Sequence, residues 1–337
     1  METWSLIRMQ PGDSNYHLFA DLPIRLYPKS SDRFKAGHEP QAEFLEACYV
    51  LLKDTIPVGR FAFYENPDLF YEAQSAACIG SYECIDEEEV SSELLGRAIA
   101  LARAKNYRFL IGPMEGSTWN SYRFSLNNDA PNFFMEPYHH LYYNQQFQAA
   151  GFKVVASYFS SLVQDIPSSE TRLQNLKLRF EGLGARFRPM NPQRFEQDLE
   201  AIARLSLDGF AGNFLYTPIS VEDFVKRYSR LKDFLDPSLV YLAEDQSGAL
   251  QAFIFGLKDY FDPKGESLII KSMARKRNTP FKGVGRYLAL KLMMEAKNQS
   301  YQKVIHALMI EENASRQISK KTNGKAYKAY QLYGLPL

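Results

Sequence analysis

Two glycines separated by a single residue, in "NTPFKGVGRYLALKLMMEAK" (residues 278–297), carry the most specific chemical signal in this sequence. They stand in a basic, Pro-led turn that runs into an apolar-periodic segment. A helix N-terminus leaves backbone N–H groups unpaired and adds partial positive charge, so amides curled around glycines can hold phosphate oxygens. Gly283 and Gly285 permit the φ values and close approach that such a nest requires, and Lys282 and Arg286 add full charges beside it. The same turn also serves as the plain lead-in to a core helix, and a Gly-x-Gly turn alone does not separate the two. The Gly-x-x-x-x-Gly-Lys-Ser/Thr pattern is absent. Arg286, Tyr287 and Leu288 follow Gly285, so the dinucleotide fingerprint is absent as well.

The densest polar stretch is "GPMEGSTWNSYRF", residues 112–124. Trp119 and Tyr122 offer flat faces, Ser117, Thr118 and Asn120 offer hydrogen bonds, and Arg123 can grip a carboxylate or phosphate bidentately. A pocket wall or a domain interface explains this composition as well as substrate binding does. "EPYHHLYYNQQF" adds His139 and His140, but adjacent histidines lack metal-ligand spacing on a helix, and no metal is expected. Glu311 and Glu312 fall at a strand end, where a general base and a solvated carboxylate look alike. His306, inside an apolar strand, reads as a hydrogen-bonded core histidine. Cys48, Cys78 and Cys84 have no CxxC spacing and read as buried reduced thiols.

These residues need a scaffold of ordinary globular kind. The chain has 337 residues, 45% of them hydrophobic and 23% charged, which makes two domains the default. Forty basic against thirty-nine acidic side chains argue against nucleic acid or a membrane surface as a partner. No apolar stretch approaches the roughly 20 residues needed to span a bilayer. "METWSLIRMQPGDSNYH" lacks the apolar run of a signal peptide, so a cytoplasmic protein is expected.

The first half opens with the strand "SLIRMQP" and a helix around residues 14–27. The hairpin "EACYVLLKD"–"VGRFAFYE" and the strand "AACIGSYECI" come next. "EVSSELLGRAIALARAKN" is periodic as a helix, with acids early and bases late. The strand "YRFLIGPM", a helix over 144–151 and the strand "FKVVASYFSSLVQ" complete the half. The second half repeats that order. "GARFRPMNP" precedes a helix that breaks near Gly209, and the hairpin "SLVYLAED"–"ALQAFIFGLKDY" follows. Then come "ESLIIKSMARKR", the glycine turn with its helix, "KVIHALMIEE", a short helix with a Gly stop, and "KAYKAYQLY". The polar connector lies near residues 164–185, and the domains are expected at 1–165 and 186–337, with 166–185 between them.

"PFKGVGRYL" after a strand, in this element order, resembles the acyl-CoA loop of the GCN5-related N-acetyltransferase superfamily. That loop reads Gln/Arg-x-x-Gly-x-Gly/Ala. Gly283 and Gly285 match its glycines, while Pro280 departs from its first place. Asn313 and Gly324, eleven residues apart, match the superfamily's next landmarks. The resemblance covers residues 186–337, and residues 1–165 share the element order only. It implies an α/β (α+β) architecture of two tandem domains, each a mixed, mostly antiparallel sheet flanked by helices.

The resemblance also implies that the amides of Lys282, Gly283, Val284, Gly285 and Arg286 hold the pyrophosphate of acetyl-CoA or another acyl-CoA. Main chain at Met273 and Ala274, together with Asn313, would meet the pantetheine arm. An amine of a small molecule or peptide would attack the thioester. The family's usual Tyr acid stands seven residues past the Asn, where this chain has Lys320, so Tyr327 and Tyr330 are the substitutes and Glu311 a base. Asp86, Glu87, Glu88 and Glu89 at the corresponding turn of the first half would repel a pyrophosphate, and no coenzyme is expected there. Two rivals remain open at this stage: tRNA-dependent aminoacyl transfer by a tandem protein of this fold, and a non-catalytic acyl-CoA or ligand-binding module.

Overall fold

A computed structural model describes residues 3–27, 39–167, 169–311 and 315–337. The chain packs as two compact units. One comprises Met1–Ser157, Phe214–Thr217 and Ala329–Leu337; the other comprises Tyr158–Asn213 and Pro218–Lys328.

In the first unit β1 (Trp4–Met9) leads to two short helices, α1 (His17–Ala20) and α2 (Leu22–Leu26), where the sequence suggests one. Pro23, in the first turn of α2, lacks the N–H that a continuous helix would need there. A hairpin follows, of β2 (Leu45–Lys53) and β3 (Ile56–Tyr64), closed through Asp54 at φ 55°. Then come β4 (Phe70–Tyr71), β5 (Gln74–Cys84) and α3 (Glu88–Ala104), which buries Val90, Leu94, Leu95, Ala98 and Ala102. The half closes with β6 (Phe109–Gly112), β7 (Phe124–Ser125), α4 (Tyr143–Ala149) and β8 (Lys153–Val163). Strands run β1-β2-β3-β5-β6 across the sheet, and only β5 and β6 are parallel. Cys48, Cys78 and Cys84 are buried free thiols in this unit.

The second unit contains α5 (Glu170–Gly182), β9 (Arg186–Pro189), α6 (Phe195–Phe210) and α7 (Val221–Ser229). Next are β10 (Val240–Glu244), β11 (Leu250–Lys258), β12 (Ser267–Arg275) and α8 (Val284–Asn298). The chain ends with β13 (Lys303–Ile310), α9 (Ser315–Lys321) and β14 (Lys325–Pro336). The sheet runs β9-β10-β11-β12-β13, and again one pair, β12 and β13, is parallel. Leu288, Leu292 and Met293 of α8 fill the core against Leu239, Ile254, Leu268 and Val304. As the sequence suggests, α6 stops beside Gly209, ending at Phe210, and the missing side chain of Gly209 lets the helix lie close over Ala274.

The units differ from the sequence boundaries in two respects. Much of the expected connector is α5 (Glu170–Gly182), which buries Phe180 in the α8 core, with Leu173 and Leu176 packed beside it. An amphipathic helix cannot leave that stripe in water. The closing strands are also exchanged. Residues 158–163 of β8 pair with β13 in the second unit, and residues 330–336 of β14 pair with β7 and β6 in the first. Among the described residues no helix is long and apolar enough to cross a membrane.

Candidate functional site

The geometry of the second unit centres on the point where its parallel strands part. Pairing of β12 with β13 starts at Ser267↔Lys303 and ends at Ile270↔His306. Two irregularities cause the divergence. Along β12 the register with β11 shifts so that Phe255 faces Ser272 while Gly256 faces Ile270, leaving Lys271 as an extra residue. Along β13 the register slips after His306, Leu308 takes φ 55°, and its N–H donates to Ser160 Oγ at 3.0 Å. Met273 and Ala274 lie on β12 beyond the parting point. Met273 packs on the α8 core and Ala274 under α6, so their side chains anchor opposite faces. Among the described residues, no strand pairs with the β13-facing edge of β12 there.

The glycine turn follows β12 directly. Gly283 caps α8 at φ 89°, with open space where a Cβ would stand. Phe281, fully buried, pins the turn to the core. The expected cradle of five amides is reduced here. Lys282 N–H donates to Pro280 O, Val284 N–H to Phe281 O, and Arg286 N–H to Gly283 O, at 3.0–3.1 Å. Three-residue tightening of this kind is the usual way a helix start satisfies its own donors. The amides of Gly283 and Gly285 donate to no carbonyl among the described residues. Arg286 adds its side chain: its Nε is buried without a hydrogen-bond partner among the described residues, and the residue lines an open cavity of about 450 Å³ shared with α5. Two amides, one guanidinium and the exposed Lys282 therefore form the cationic face of the turn.

The remaining residues singled out in the sequence scatter. Asn313 and Glu312 lie outside the described residues. Glu311 is exposed in the turn after β13, Lys320 is exposed on α9, and Tyr327 is half-buried on β14. Tyr330 is a correction to the sequence reading. It belongs to the first unit, is fully buried, and its hydroxyl donates to Glu136 at 2.7 Å, which commits the proton to packing. His306 is buried as expected, yet its Nε2 has no partner among the described residues. Burial holds that imidazole neutral, with its pKa down at about 4.

The stretch at 112–124 sits in the first unit, where much of its hydrogen-bonding capacity is used internally. Trp119 Nε1 donates to Thr217 O at 2.9 Å, and its ring meets Tyr216 edge-on. Asn120 Nδ2 donates to Glu115 O at 2.6 Å, and Ser117 Oγ accepts from the Trp119 and Asn120 donors. Arg123, buried, stacks 3.7 Å over Tyr122 and donates from Nε to the Tyr122 carbonyl. Thr118 is half-buried between Ser117 and Trp119. His139 Nε2 accepts from Ser125 N–H, and His140 Nε2 lies 3.1 Å from Leu26 O. No group of three His, Cys, Asp or Glu among the described residues is placed to hold a metal.

No family model matches the sequence, and no curated protein matches it. Solved structures do. A fungal multi-domain GH3 β-N-acetylglucosaminidase with a GCN5-related glucosamine N-acetyltransferase region superposes at TM-score 0.60 and 12% identity over 99% of this chain. The chain spans 38% of that protein's length. A tandem GNAT protein from the clavulanic acid biosynthesis pathway superposes at 0.56 and 11% identity, over 99% of this chain and 98% of the other. A probable N-acyltransferase from Enterococcus faecalis superposes at 0.57 and 12% identity, over 100% and 73%. The chain thus has the tandem fold of the GCN5-related N-acetyltransferases, two units of strand, helices, hairpin, parallel pair and closing strand.

Proposed function

We propose that the protein is an acyl-CoA-dependent N-acyltransferase whose second unit holds the acyl donor. The observation that carries this is the coincidence of two features in one unit. A parallel pair parts after Ile270↔His306, and the following helix opens on Gly283 with two amides and the Arg286 Nε left without partners among the described residues. Diphosphate oxygens would accept from the Gly283 and Gly285 amides and from Arg286, with Lys282 adding charge. The pantetheine arm would run along the unpaired edge of β12 past Met273 and Ala274, where main-chain groups replace a missing strand. Asn313 is the residue expected to meet the same arm.

In the reaction a neutral amine attacks the thioester carbonyl. A C–N bond forms, the C–S bond breaks, the amine loses one proton and the departing thiolate gains one. An amide of β12 directed at the carbonyl oxygen would stabilise the developing charge. Glu311 and water are the bases within the second unit, and Tyr327 is its candidate acid. The acceptor is an amine of a small molecule or peptide.

The test is direct: titrate the full chain with acetyl-CoA by calorimetry and follow its thermal midpoint. Binding with a raised midpoint is expected. No heat and no shift at millimolar coenzyme would overturn the proposal and leave a binding module or an aminoacyl-tRNA enzyme as the better reading.

A further inference from the structure

The cavity between α5 and α8 is lined in part by α5, the helix between β8 and β9, and lies apart from the parallel strand pair described above. Three arginines line it: Arg172 and Arg179 from one face of α5, and Arg286 from the first turn of α8. Arg172 and Arg179 lie seven residues apart, about 10 Å along the helix, so they flank the cavity and do not stack on each other. Ser169, Thr171 and Asn175 supply neutral hydrogen-bonding groups around them. Ser169 caps α5, its Oγ accepting from Arg172 N–H at 3.4 Å, so the positive ends of two helices meet the same space.

Among the described residues none of these three arginines is ion-paired with a carboxylate. This is not for want of acids, since Glu181 on α5 pairs with Lys177, and elsewhere in the unit Arg188 takes both Asp198 and Glu244. The buried Nε of Arg286, without a partner among the described residues, is the costliest feature, because a desolvated donor with no acceptor opposes folding. Such a set is matched by a dianionic tetrahedral group with several oxygens to distribute.

We propose that this cavity is a phosphate-monoester site that takes the 3′-phosphate of the coenzyme, so that α5 makes the protein discriminate coenzyme A from its dephosphorylated form. The phosphate site follows from the guanidiniums. Its assignment to the coenzyme rests on the acyl-CoA reading above. Arg286 stands at both places, with its main chain in the glycine turn and its side chain in the cavity, which puts the two phosphate groups of one molecule within reach of one residue.

The experiment is calorimetric titration of the full chain with coenzyme A, dephospho-coenzyme A and adenosine 3′,5′-bisphosphate, in the wild type and in an Arg172→Ala/Arg179→Ala double variant. The wild type should prefer coenzyme A over the dephospho form by about 10- to 100-fold, the span of one or two charge-assisted hydrogen bonds. The double variant should bind the two coenzymes equally while unfolding at the wild-type midpoint, since Arg179 is exposed and Arg172 only partly buried. Equal binding of both coenzymes by the wild type, or a preference that survives in the variant, overturns the proposal. Failure of the acyl-CoA reading looks different: neither coenzyme binds the wild type. The coenzyme assignment then falls, and the bisphosphate decides the cavity, with binding that the variant loses upholding a phosphate site and no binding refuting it.

Discussion

The parallel strand pairs β5–β6 and β12–β13 start alike and end differently. Both bulge in the earlier strand, at Ser81 in β5 and at Lys271 in β12. In the first unit the pair ends at Cys78↔Ile111, and the chain then folds back across the gap: Met114 N–H donates to Ile79 O at 2.8 Å. Ser81 Oγ holds the buried Glu115 at 2.6 Å, so the wedge is closed by its own loop. In the second unit the pair ends at Ile270↔His306, and β13 turns toward β8, away from β12. The helix starts differ in the same sense. α3 opens on Glu87, Glu88 and Glu89, whereas α8 opens on a left-handed glycine between Lys282 and Arg286. One scaffold can be sealed or left open by the few residues that follow its parallel pair.

The largest expected effect concerns the vertex of each wedge, where Ile111 in one unit corresponds to His306 in the other. The folded pKa of His306, about 4, lies below the unfolded value near 6.5, so protons bind the unfolded chain preferentially between those limits. Stability is therefore complete above about pH 6.5 and falls as pH drops toward 4, by at most about 3 kcal/mol from this group. His306→Ile, which copies the first unit, should remove that share of the acid loss. Denaturant unfolding of both proteins at pH 7.5 and 5.0 measures it, and identical pH dependence would remove His306 from the account.

Next in size is Gly283→Glu. It places a carboxylate in open space beside the two free amides, giving the second turn the charge of the first. Acetyl-CoA affinity should fall by about 100-fold or more, the loss of a charge-assisted contact plus repulsion. Retained affinity in a calorimetric titration would show that the diphosphate binds elsewhere.

How much of this contrast could be read beforehand depends on where the information lies. Alternation and helical periodicity are local, so the element order of both halves, the α3 and α8 stripes and the glycine turn were legible. So were the acids that distinguish the first turn from the second. Strand exchange was not, because residues 158–163 and 330–336 look the same as strands whichever sheet they join. Nor was the use of the 112–124 loop as a seal: Trp119 and Asn120 are as polar when bonded to Thr217 O and Glu115 O as when waiting for a ligand. Tyr330 misled for the same reason, since a buried hydroxyl and a catalytic one are the same residue until Glu136 is placed. The α5 arginines do carry a sequence signal, a Ser-capped amphipathic helix with bases spaced along one side.

Two smaller effects sharpen the contrast through glycine alone. At Gly80, a Cβ would stand 2.7–2.9 Å from Glu115 Cγ and the Met114 carbonyl, and the backbone atoms there cannot step aside. Gly80→Ala should destabilise the first unit by about 2 kcal/mol, as overpacking does, and leave coenzyme affinity unchanged. At Gly283 the cost has a different origin, since nothing stands within 4 Å of the new Cβ and the penalty is the left-handed φ alone. Gly283→Ala should therefore cost about 1 kcal/mol of stability, read by denaturant unfolding. A cost at Gly283 as large as at Gly80 would mean that the second turn is packed, as the first unit's seal is, and would remove the difference on which the acyl-donor assignment stands.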